Sequence, residues 1–147
     1  YDHIPAQTLL PKGEAKALRV NLNNEGSTVG YIRGAGDEIP KALRNMGYEV
    51  WEMKNEDVTA ANLARVDAVV LGVRALNTNE RIRFFMPALL DYVKAGGTLV
   101  VQYNTNFDLE LDVDKIAPYS LTLSRERVTE ENCEVKILNG DHPALNY

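Results

Sequence analysis

The sequence predicts a three-layer α/β/α domain on a mainly parallel sheet, and three features predict it. Residues 68–72 and 98–102 are short, nearly uninterrupted apolar runs, the mark of strands covered on both faces. Between them lies one long amphipathic helix pattern. From residue 28 onward, strand and helix patterns alternate at short spacing, which calls for right-handed crossovers between parallel strands.

Taken in order, residues 1–14 carry Pro5, Pro11 and Gly13 without periodicity and read as a linker from an upstream domain. Residues 15–147 read as a single domain that continues past the last residue. A short strand is expected at residues 17–22 and, after the turn-rich NNEGS, a β-branched and aromatic strand at 28–32. Ile39, Ala42, Leu43 and Met46 repeat at helical spacing, with Asp37 as the expected N-cap and Gly47 as the stop. A strand at 48–53, a short helix at 59–64 and the buried strand at 68–72 follow, then a polar loop. In the long helix Ile82, Phe85, Met86, Leu89, Leu90 and Val93 share a face, and Gly96-Gly97 ends it. Pro87 lies within that pattern, where it removes a backbone donor, so a start near Met86 is the alternative. After Asn106 the expected elements are strands at 120–124 and 133–138. The whole reads as a doubly wound, flavodoxin-like or Rossmann-like layer structure.

Composition narrows the function classes. At 147 residues, with 45% hydrophobic and 25% charged residues, the chain has the make-up of an ordinary globular domain. Its net charge of -5 gives nucleic acid or an anionic membrane no general attraction, and its apolar runs are strand-sized, too short for a membrane span. Cys133 is the single cysteine, so neither an internal disulfide nor a thiolate zinc cluster is available.

Chemistry-bearing residues gather where strands are expected to end. Gly34, Ala35, Gly36 and Asp37 join a strand to a helix, a place where small residues let backbone N–H groups face an anion. A dinucleotide site would want glycine at position 39, which is Ile39, and Asp37 would repel phosphate, so a tight turn with an Asp cap competes with it. Arg74, Asn77, Tyr103, Asn104 and His142 are expected at or just beyond strand ends, where open α/β sheets collect ligands. Arg74 is the anion-binding candidate, and its competing fate is an ion pair with a neighbouring carboxylate. His142 and the distant His3 make a poor metal pair. Asp108, Glu110, Asp112 and Asp114 lack the glycine and final glutamate of a calcium loop. Cys133, without flanking glycines, reads as a packed small side chain rather than a nucleophile. No catalytic residue and no metal ligand is assigned.

The segments YDHIPAQTLLPKGEA, GYIRGAGDEIPKALRNMGYEV, VDAVVLGVRALNTNERI, KAGGTLVVQYNT and LTLSRERVTEENCEVKILNGDHPALNY together resemble the C-terminal region of long bacterial LmbE-like proteins, the PIG-L deacetylase group, of the Bacteroidetes type. The resemblance implies a class I glutamine amidotransferase-like or ThuA-like domain, downstream of a zinc-dependent N-deacetylase domain, in an exported or periplasmic protein. The zinc belongs to a His-Pro-Asp-Asp motif of that upstream domain. Here only His142-Pro143-Ala144-Leu145 is present, so no zinc ligand carries over and no cofactor is expected in this chain. Amidotransferases place cysteine in a glycine-rich elbow after the strand comparable to 98–102. Tyr103-Asn104-Thr105 stands there, so glutaminase activity is not expected.

Three functions are in play at this point, one of them a purely structural role with the rim buried against another domain. Another is a non-catalytic accessory module that binds a small polar or sugar ligand or packs on the deacetylase domain of its own chain. The alternative is a small-molecule enzyme or cofactor-binding domain using residues 34–37 and the rim at 103–106.

Overall fold

The structure, a computed structural model, describes residues 8–145. Its centre is a four-stranded parallel sheet in the order β2-β1-β3-β4, with β1 at Thr28–Ile32, β2 at Glu49–Met53, β3 at Ala68–Leu71 and β4 at Thr98–Val101. The helices are α1 (Ile39–Asn45), α2 (Ala60–Leu63), α3 (Ala75–Thr78) and α4 (Ile82–Lys94). The α/β class and the parallel pairing are as the alternating pattern predicts.

Side chains alternate across the strands and build a core on each face. Val29, Tyr31 and Val70 face α1, packed against Ile39, Leu43 and Val50. Ile32, Val69 and Leu71 face the other way, into the larger cluster with Leu63, Leu76, Ile82, Phe85, Met86 and Leu89. The two central strands β1 and β3 are the best covered, with Val69 and Leu71 of β3 fully buried.

The helices begin and end for local reasons. The Thr59 hydroxyl caps α2 by accepting from the Asn62 N–H. Gly47 and Gly96 follow α1 and α4 at φ 99° and 98°, the left-handed geometry that stops a helix. At the start of α1 the N-cap position is Glu38, not Asp37. Asp37 still accepts the Ile39 N–H, from one residue further out (3.0 Å). Helix α4 runs through Pro87 instead of starting near it. Proline takes one donor from the ladder, and the apolar face holds the helix, with Ile82 before and Leu89 after the proline both buried.

Four expectations need correction. Residues 73–81 are not a polar loop but contain α3, whose Ala75, Leu76 and Asn77 are buried. Strand β4 is exposed rather than buried, with Val100 at 47% and Val101 at 39%, because the last strand in the order has a neighbour on one side only. Residues 17–22, 120–124 and 133–138 form no strands. Alternation makes a segment able to pair, but without a partner edge the backbone bonds are missing, and Leu18, Val20, Ile137 and Leu138 stay exposed. Cys133 is exposed, not packed. Of the linker, residues 8–14 are exposed and irregular, while 1–7, with His3, lie outside the described residues.

Candidate functional site

The connection leaving β1 runs to β2 on one side and the connection leaving β3 runs to β4 on the other, so the sheet's reversal lies between the ends of β1 and β3. Open sheets leave a ligand crevice at such a point. Here the two loops are joined instead. The Ala35 N–H donates to the Val73 carbonyl (2.7 Å), and the Val73 N–H donates to Asp37 Oδ2 (3.1 Å). A side chain on Gly34 would overlap the Val73 carbonyl oxygen and stand 2.9 Å from the Ala75 nitrogen.

Asp37 fills the place that a bound anion would take. Its carboxylate accepts from the Tyr31 hydroxyl (2.7 Å), the Ile39 N–H (3.0 Å) and the Val73 N–H (3.1 Å). Burial acts to raise its pKa, but the hydrogen bonds from Tyr31, Val73 and Ile39 and the charge of Arg33 outweigh it and hold the carboxyl below its ordinary value. The same contact, after burial itself, pushes the Tyr31 hydroxyl well above the usual phenol range. Loop 34–37 is therefore an internal brace: its Ala35 N–H serves the Val73 carbonyl, and its Asp37 carboxylate takes donors from Tyr31, Ile39 and Val73.

A pH test follows. The folded state binds the Asp37 proton more weakly than the unfolded chain, so its contribution is present above an ordinary carboxylate pKa of about 4 and is lost as pH falls through the folded-state value. Asp37→Asn is expected to lower stability at neutral pH and to flatten its loss towards acid. Denaturation midpoints between pH 7 and pH 3 check this, and parallel curves for parent and variant would refute it. Asp67, Glu52 and Asp112, also lowered, act in the same direction from exposed positions.

The amides predicted at the rim are likewise in use. Asn77, 9% exposed, donates from Nδ2 to the carbonyls of Phe107 (2.9 Å), Asp108 (3.3 Å) and Thr105 (3.4 Å). Its Oδ1 accepts the Thr105 N–H (3.0 Å). Asn104 accepts the Leu76 N–H at Oδ1 (3.0 Å) and donates to the Gln102 carbonyl (2.7 Å). These two side chains fasten the segment leaving β4 to α3, and neither offers its amide to a ligand.

Arg74 and Tyr103 stand together at the crest, the Arg74 N–H donating to the Tyr103 carbonyl (2.7 Å). Arg74 adopts φ 57° and ψ 24°, in the left-handed region, at the turn from β3 into α3. None of the ion pairs among the described residues includes it, so the expected alternative of a paired structural arginine is not what is found. Tyr103 is 57% exposed. His142 lies far along the chain in an exposed turn, its N–H donating to the Asn139 carbonyl (3.4 Å).

Two hollows adjoin this crest. One of about 590 Å³ lies beside β4, lined by Leu90 and Val93 of α4, Leu99 and Val101 of β4, and Ile116 and Leu121 of the following segment, with Gln102 and Tyr103 at one end. The other, about 500 Å³, lies at the ends of β1 and β2 and is polar, with Arg33, Glu52, Lys54 and Asn79 in its wall. There Glu52 is shared by Arg33 (2.6 Å) and Arg44 (2.9 Å). Sequence reading passed over Tyr31, Gln102 and the apolar hollow. No local pattern signalled the hollow, because only tertiary contact sets Ile116 and Leu121 beside α4 and β4.

The described residues include no group of three or more His, Cys, Asp or Glu side chains arranged to hold a metal, and no helix long and apolar enough to cross a membrane. The crest carries Arg74 at the turn after β3 and Gln102, Tyr103 and Asn104 after β4, followed by Thr105, whose hydroxyl donates to the Phe107 carbonyl (2.9 Å). No family model, no curated protein and no solved structure matches the chain.

Proposed function

We propose that this domain is a non-catalytic accessory module that packs on a neighbouring domain of its own protein, an LmbE-like, PIG-L-type zinc-dependent N-deacetylase, and helps to shape access to it. The observation that carries the packing role is the apolar flank at β4. Val101, Tyr103, Tyr119 and Leu121 are all more than a third exposed around a hollow of about 590 Å³. Contiguous apolar surface of this kind marks an interaction site in a domain of ordinary charge content. The spent amides Asn77 and Asn104 and the internally bound Asp37 weigh against an open sugar-binding rim and against a cofactor held by residues 34–37. The flavodoxin-like, amidotransferase-related identity belongs to the same proposal, supported by the order β2-β1-β3-β4. Zinc chemistry, on this reading, belongs wholly to the neighbouring domain.

The test supplies this domain in trans to the separately expressed deacetylase domain of the parent protein. Association and a raised melting temperature of the deacetylase are expected. Val101→Asp, which sets a charge on the flank, is expected to weaken association at least tenfold, about 1.4 kcal/mol. Equal affinity of the variant, or no association, would remove the proposal.

A further inference from the structure

We infer that Arg74 and Gln102 form a binding site for a small carboxylate at the crest of the sheet. The inference starts from two donors that lack acceptors. Arg74 Nε and Gln102 Nε2 are both buried, and neither has a hydrogen-bond partner. Buried donors are almost always paired, and an unpaired one calls for a ligand or solvent acceptor. They belong to neighbouring strand exits, for the Gln102 N–H donates to the Leu71 carbonyl (3.2 Å) and the Arg74 N–H to the Tyr103 carbonyl (2.7 Å).

The backbone gives independent support. Arg74 is one of two non-glycine residues at positive φ among the described residues, and a long side chain there is strained where glycine or asparagine would be at ease. Its carbonyl is pinned by the Asn77 N–H (2.9 Å) and the Thr78 N–H (3.0 Å), so the turn is held in place. Strain of this sort, kept under an unpaired guanidinium, points to use of the side chain. Two donors, one on a planar cationic fork, suit an acceptor-only planar anion, which is a carboxylate. Gln102 also borders the apolar hollow, leaving room for a short aliphatic tail.

The experiment titrates the protein with acetate and butyrate at constant ionic strength, with chloride and acetamide as controls, following the Arg74 Nε–H and Gln102 side-chain amide resonances. Saturable shifts of both are expected with the carboxylates alone, and butyrate should bind more tightly than acetate. Arg74→Gly is expected to abolish the response while raising the melting temperature, because glycine removes the strain. Gln102→Leu should weaken binding at least tenfold, and it keeps the test decisive if the glycine variant does not fold. Carboxylate binding unchanged in either variant would overturn the inference. So would carboxylate-independent donors held by an ordered water, or a response to chloride equal to that to acetate.

Discussion

Replacing Gly34 by alanine is expected to destabilise the domain by about 3 kcal/mol or more, at the upper end of what overpacking costs, because the clash is with backbone. The added methyl would overlap the carbonyl oxygen of Val73 and crowd the Ala75 nitrogen, and neither atom can rotate away as a side chain would. To admit it, the loops after β1 and β3 must part, losing the Ala35-to-Val73 bond and the Val73-to-Asp37 bond together. Gly36→Ala is the control. It sits at φ 107° with open space around it, so it meets conformational strain but no clash and should lose only about 1–2 kcal/mol. Denaturant midpoints of the two variants separate the effects. If Gly34→Ala were no worse than Gly36→Ala, the joined loops would not be an essential brace.

Asn77→Ala is expected to lower stability by about 1–3 kcal/mol, since it takes the side-chain partner from the Thr105 and Asp108 carbonyls and the Thr105 N–H and leaves the Phe107 carbonyl only the Thr105 hydroxyl. The side chain is the single polar group through which α3 holds the carbonyls of Thr105, Phe107 and Asp108 and the Thr105 N–H. Asn77→Asp should be worse at neutral pH although nearly the same size, because it turns an acceptor towards three carbonyl oxygens that need a donor. Thermal unfolding measures the loss, and hydrogen exchange at the Thr105 amide locates it. Faster exchange there in both variants is expected, and native protection would contradict the role assigned to Asn77.

Both changes fall at positions read from sequence as ligand-facing, and the reason shows how far such reading reaches. A Gly-Ala-Gly-Asp turn and a buried-strand exit followed by Arg and Asn have the same composition whether they greet a ligand or each other. The choice depends on how closely β1 and β3 bring their loops together, which is a matter of strand order. Arg74 was legible as a cation at a strand end, but its left-handed turn and its unpaired Nε were not, because residue type does not report φ or the loss of a partner. Pro87 shows the reverse. Its local preference argued for a helix boundary, and burial of Ile82, Phe85, Met86 and Leu89 prevailed.

The chain's own pattern determined the α/β class, the parallel pairing, the extent of β1 and the end of α4 to within a residue or two, since periods of two and 3.6 and the glycine stops are local properties. Tertiary structure alone decided that β4 is an exposed edge, that residues 17–22 and 133–138 remain unpaired, and that Asp37, Asn77 and Asn104 serve the protein itself. A strand requires a partner edge, and a polar side chain takes the nearest donor or acceptor the fold presents. Both depend on neighbours distant in sequence, so neither is written in any local pattern.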